Sequence, residues 1–144
     1  MKPTTWNKLE KSFDDFSNLK SEPASAEQIK VVEDSLGVES NADYKEFILK
    51  YGGAIVGAFP IYGLHRVEPM DVNLWSVLGV TNRYRKEGWP NMSDRYVISS
   101  DHSDNPFVIS NDGEIIVYNH DYDETVIVSE TFEEFLISCL KDCE

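Results

Sequence analysis

Tyr96-Val97-Ile98-Ser99, Phe107-Val108-Ile109-Ser110, Glu114-Ile115-Ile116-Val117-Tyr118-Asn119 and Thr125-Val126-Ile127-Val128 follow one another with short polar connections. Their β-branched and aromatic content predicts four strands. Between the second and third stands Asn111-Asp112-Gly113. Asx-Gly is a strong hairpin signal, because glycine accepts the positive φ that a tight turn requires. The third and fourth are joined by His120-Asp121-Tyr122-Asp123-Glu124. Thr131 then precedes Glu134 by three residues, a capping-box pattern. Phe132, Phe135, Leu136, Cys139 and Leu140 give the helix that follows one apolar stripe. The stretch from Tyr96 to Leu140 therefore predicts an antiparallel meander packed under a closing C-terminal helix.

Upstream, the period changes from two to between three and four. Trp6, Leu9, Phe13, Phe16 and Leu19 predict an amphipathic helix ending near Lys20, and Pro23 follows in a break. Ser25 with Gln28 opens a second helix through Ile29, Val32 and Leu36, which Gly37 stops. Asn41 or Asp43 opens a third through Tyr44, Phe47, Ile48 and Tyr51, ended by Gly52-Gly53. Ala54–Phe59 and Ile61–Leu64 read as strands interrupted by Pro60. A helix capped by Asp71 is expected through Leu74, Trp75, Leu78, Thr81 and Tyr84, ending before Gly88. Helices first and sheet after make the class α+β, the sheet antiparallel with mixed pairing left open. No repeat or linker divides the chain. The expectation is one domain over residues 1–144, with 1–24 as an additional N-terminal helix and turn.

Composition excludes several classes. The chain is 41% hydrophobic and 12% aromatic, which is globular. No apolar run approaches the roughly 20 residues of a membrane span. Met1–Trp6 has no apolar leader segment. Cys139 reads as a small core residue and Cys143 as a surface thiol, which suits a reducing, cytoplasmic setting. The net charge is −13, unevenly distributed. Residues 1–93 hold 13 acids and 11 bases; residues 94–144 hold 13 acids and only Arg95 and Lys141 as bases. Phosphate contacts need Lys and Arg, so nucleic acid is an unsuitable partner. A basic protein is a suitable one.

Catalytic and ligand motifs are weak. His65, His102 and His120 are scattered, and no Gly-x-Ser-x-Gly elbow supplies a nucleophile. Asp101-His102-Ser103-Asp104-Asn105 and Asp121-Tyr122-Asp123-Glu124 lack the spacing and central glycine of an EF-hand, so no metal is expected. Gly52-Gly53 and Gly57 form no phosphate-cradling loop, and no cofactor is expected. Arg83-Tyr84-Arg85-Lys86 reads as a solvated helix end, where cations suit the dipole. In the meander, the connections at 101–104 and 121–124 should share one end, with 112–114 at the other. That would gather Asp101, Asp104, Asp121, Asp123 and Glu124 into a negative patch with Tyr122 as an aromatic anchor, against the plainer reading that loops are polar because they are wet.

One ordered set of motifs carries a family likeness. Ser25-Ala26-Glu27-Gln28-Ile29, Glu33, Leu36-Gly37 and Asp43-Tyr44-Lys45-Glu46-Phe47-Ile48-Leu49-Lys50-Tyr51-Gly52-Gly53 resemble the front of the SUKH superfamily. That superfamily covers bacterial toxin-immunity proteins and a related yeast regulator of cell-wall synthesis. Asp112-Gly113-Glu114-Ile115, Tyr118-Asn119-His120-Asp121 and Thr131-Phe132-Glu133-Glu134-Phe135-Leu136 are similar to its late strands and closing helix. Two framework positions depart from the pattern: Ser40-Asn41-Ala42 replaces a Leu-Pro turn, and Tyr51 stands where Asn often precedes the glycines. The resemblance implies a non-enzyme, since the superfamily has no shared catalytic residues. It implies an immunity protein that occludes a cognate, basic toxin, a nuclease domain being the expected target. The alternatives are a regulatory protein-binding scaffold and, from the residues alone, a small hydrolase using His120.

Overall fold

The computed structural model describes residues 1–90, 92–110, 112–119 and 124–141. Three helices come first: α1 (Pro3–Asp15), α2 (Ala26–Leu36) and α3 (Ala42–Tyr51). A hairpin of β1 (Ala54–Val56) and β2 (Phe59–Ile61) follows, then α4 (Val77–Lys86). The strands β3 (Val97–Ser100), β4 (Pro106–Ile109), β5 (Ile115–Asn119) and β6 (Glu124–Ser129) lead to α5 (Phe132–Lys141). Both sheets are antiparallel, one two-stranded and one a four-stranded meander in the order β3-β4-β5-β6. The fold is α+β.

Local chemistry sets most helix ends. Ser25 Oγ accepts from Gln28 N at 3.1 Å, and Gln28 Oε1 accepts from Ser25 N at 2.9 Å, closing a reciprocal cap at the start of α2. Asn41, rather than Asp43, caps α3: its Oδ1 accepts from the Asp43 and Tyr44 N–H groups. At α5, Thr131 Oγ1 accepts from Glu134 N at 3.1 Å, while the Glu134 carboxylate takes the Glu130 N–H instead of that of Thr131. Gly52 ends α3 at φ +73°, and a Cβ there would stand 1.7 Å from the Glu22 carbonyl oxygen. That closeness brings the segment before α2 against the end of α3.

Three boundaries differ from the sequence reading. α1 stops at Asp15, because Phe16 leaves the helical region at φ −142°; a 3-10 turn, Ser17–Leu19, follows. The helix expected from Asp71 begins only after Ser76. The Asp71 carboxylate is engaged in a local turn, accepting from Asn73 N at 2.8 Å. Ser76 is held extended by a parallel bridge to Gly63, with Val77 N donating to Gly63 O at 2.9 Å. Pro60 lies inside β2 opposite Ile55 instead of breaking the strand, and the turn falls at Gly57-Ala58. A two-stranded sheet has free edges, where a missing N–H is tolerated.

One apolar cluster takes in residues from all five helices and both sheets. Aromatic rings join its parts. Phe132 of α5 meets Tyr44 and Phe47 of α3, each at 5.6 Å between ring centres. Phe135, one turn on, meets Phe107 of β4 at 5.2 Å and Phe59 of β2 at 6.2 Å. Thus α5 covers one face of the meander and wedges it against the N-terminal helices. Tyr62 N donates to Ile98 O at 2.8 Å and ties the small hairpin to the edge at β3.

Candidate acidic interface

The register places the β3–β4 connection at the same end of the meander as the β5–β6 connection. Ser100 pairs with Pro106, Phe107 with Val117, and Asn119 with Glu124. The turn at 112–114 lies at the opposite end, where Ile109 pairs with Ile115. At the usual strand spacing, the pair of strand ends Ser100 and Pro106 is centred about 10 Å from the pair Asn119 and Glu124.

Within the first connection, Asp101 and Asp104 are built into the loop. Asp101 Oδ1 accepts from the N–H groups of Ser103 and Asn105, both at 2.9 Å, and Oδ2 accepts from Asn105 Nδ2 at 3.0 Å. Asp104 has a positive φ of 64°, a conformation that Asp tolerates better than most residues. Its Oδ2 accepts from Arg83 Nη2 at 3.2 Å, and its carbonyl oxygen accepts from the Tyr84 hydroxyl at 2.9 Å. The last turns of α4 therefore latch this loop down. Burial, then the Asp104 charge, push the Tyr84 hydroxyl well above the usual tyrosine range, so it stays a donor. Arg83 also donates to Glu87 at 3.0 Å, which lowers the positive charge it presents outward.

The second connection contributes Glu124, exposed at the start of β6. Asp121, Tyr122 and Asp123 lie outside the described residues, as does His120. Glu124 borders an open groove of about 360 Å³ lined by Glu87, Gly88, Trp89, Tyr118, Asn119 and Thr125, among others. Among the described residues, the groove lining carries two carboxylates and no base. Trp89 donates from Nε1 to Glu87 at 3.3 Å, and Arg95 Nη1 donates to the Tyr118 hydroxyl.

Two bases of the run at 83–86 hold neighbouring loops in place, while Lys86 is exposed. Besides Arg83, Arg85 donates to the carbonyl oxygens of Met92, Ser93 and Arg95, which fixes the loop that enters β3. Among the described residues, no three His, Cys, Asp or Glu side chains converge on one point. Among those residues, no helix is long and apolar enough to cross a membrane.

One feature escaped the sequence reading. Val126, Ile127 and Val128 of β6 are 45%, 57% and 41% exposed. A solid apolar run reads as a strand covered on both faces. The informative signal was position: among the described residues, β6 is the last strand of the meander.

A family model, SUKH_5, described as SMI1-KNR4 cell-wall, matches residues 5–141. Comparison with curated proteins finds no match.

Proposed function

The chain belongs to the SUKH_5 family, and we propose that it acts by stoichiometric binding of a protein, as an immunity protein that covers the nucleic-acid site of a basic toxin. What supports this is charge placement. From residue 96 to residue 140 the chain holds ten acids and no Lys or Arg. That stretch forms the meander, its connections and most of α5. A nuclease surface must be cationic to hold phosphate, and an anionic sheet competes for the same charges. Long-range attraction also accelerates capture, which matters when the target is lethal. No catalytic step is required of this chain.

The test is co-expression with the product of the neighbouring gene, read as growth rescue and as co-purification in equal amounts. Replacing Asp121 and Glu124 together by Lys leaves the Asp101 and Asp104 loop bonds intact. The expected result is association slowed about tenfold at low salt, with a flatter salt dependence. Unchanged association would remove the 121–124 connection from the interface. The family's description as SMI1-KNR4 cell-wall favours one second reading, a regulatory scaffold for a cellular protein. Absence of any toxin-dependent growth effect, with a stable complex to another cytoplasmic protein, would select it.

A further inference from the structure

The meander is covered unevenly. Val97, Val108 and Ile115 are fully buried in β3, β4 and β5. By register, Val126 shares the face of Val117 and Phe107, the face on which Phe135 of α5 sits. Ile127 shares the opposite face with Ile116 and Val108. Both faces are therefore apolar at β6, and at β6 both are open to solvent. Among the described residues, no strand pairs with the outer edge of β6. Such an edge offers a row of backbone donors and acceptors to any extended chain.

Natural edges are normally blunted by Lys, Pro or a covering element. Thr125-Val126-Ile127-Val128 contains neither Lys nor Pro. Its one interruption is a bulge near Val128, where the register with β5 shifts. The flanks are acidic: Glu124 opens the strand, Glu130 follows it, and Glu133 and Glu134 begin α5. A second copy laid antiparallel on the strand would bring Glu124 of each chain towards Glu130 of the other. The charge that discourages self-pairing favours a cationic guest.

We infer that β6 is a docking edge for an extended segment of a partner protein, about six residues long, in which Lys or Arg alternates with apolar side chains. The guest adds a fifth strand to the meander. Its backbone pairs with β6, its apolar residues extend the Ile127 face, and its cations fall on the opposite face, which Glu124 shares with Val126. The inference rests on the reading that the partner is a basic protein, and names the place where that partner is held.

The experiment uses the whole chain and a ten-residue peptide alternating Lys with Val, with its Glu-for-Lys counterpart as control. Amide hydrogen exchange is read residue by residue. The cationic peptide should slow exchange at 125–128 at least tenfold at saturation. The effect should shrink in 200 mM NaCl on screening grounds, with a Debye length below about 10 Å. It should vanish in Ile127→Lys, a substitution at an exposed site that should leave the melting temperature within a few degrees. If that variant melts early, Ile127→Thr keeps the strand former while removing the apolar contact. Equal protection by the anionic peptide, protection confined to other surfaces, or a wild-type dimer that Ile127→Lys dissociates would each overturn the inference. Growth rescue separates the two claims. A wild-type chain that fails to rescue sinks the immunity reading, whereas full rescue by Ile127→Lys sinks only the docking edge.

Discussion

At the residue scale, two glycines share one conformation and differ in surroundings. Gly37 and Gly52 stand at φ +71° and +73° at the ends of α2 and α3. A Cβ at Gly37 meets nothing within 4 Å, whereas one at Gly52 runs into the Glu22 carbonyl oxygen and approaches the His65 ring. Gly37→Ala should therefore cost about 1 kcal/mol, the backbone strain alone. Gly52→Ala adds a clash with main chain that cannot rotate away, and should cost upwards of about 3 kcal/mol. Urea unfolding of the two variants measures the difference, and equal losses would mean that the Glu22 segment moves freely.

At the scale of elements, carboxylates tie the N-terminal helices to their neighbours. Glu10 of α1 accepts from the Tyr51 hydroxyl at 2.8 Å and from Lys50 Nζ at 3.2 Å, both on α3. The Tyr51 bond, and then Lys50, hold its carboxyl below the usual range against the upward push of burial. Burial pushes Glu33 up, but the hydrogen bonds from Ser40 outweigh it and its net direction is down. Glu133 of α5 is lowered by the Lys2 backbone N–H. A carboxyl depressed in the fold stabilises it above the unfolded value and stops doing so as pH falls through the folded one. The melting temperature should be flat above about pH 5 and fall below about pH 4.3, the unperturbed glutamate value. Each pair is partly solvated and contributes under about 1 kcal/mol. Triple replacement by Gln should flatten the acid limb measurably; an unaltered profile would show that other carboxylates control it.

Elements also show what a sequence discloses. Ends set by neighbours were legible: Ser25 with Gln28, Gly37 after Leu36, and Thr131 before α5 all act across three or four residues. Ends set by distant partners were not. The start of α4 depends on the bridge from Ser76 to Gly63, and α1 overran in the reading because Phe16 keeps the apolar period while its side chain is 62% exposed. The same holds for the acidic connections. Their shared end followed from strand alternation, but the engagement of Asp104 by Arg83 and Tyr84 joins residues about twenty apart. Nothing local announces such a bond.

At the scale of the whole molecule, a net charge of −13 works against the compact state by self-repulsion. Raising NaCl from about 10 mM to about 150 mM shortens the Debye length from roughly 30 Å to roughly 8 Å. The free protein should melt several degrees higher as a result. A complex with the basic partner proposed above should dissociate more readily over the same interval. Opposite signs in one titration would show that a single charge imbalance governs both, and parallel trends would show that it does not.

The placement of Phe132 and Phe135 has a consequence for biosynthesis. The rings that lock α3 to the meander belong to residues translated after every strand. While the ribosome is still making that last helix, Tyr44, Phe47, Phe59 and Phe107 have only part of their packing. A nascent chain should therefore expose sticky surface until α5 emerges, and newly made copies become competent to bind only at that moment.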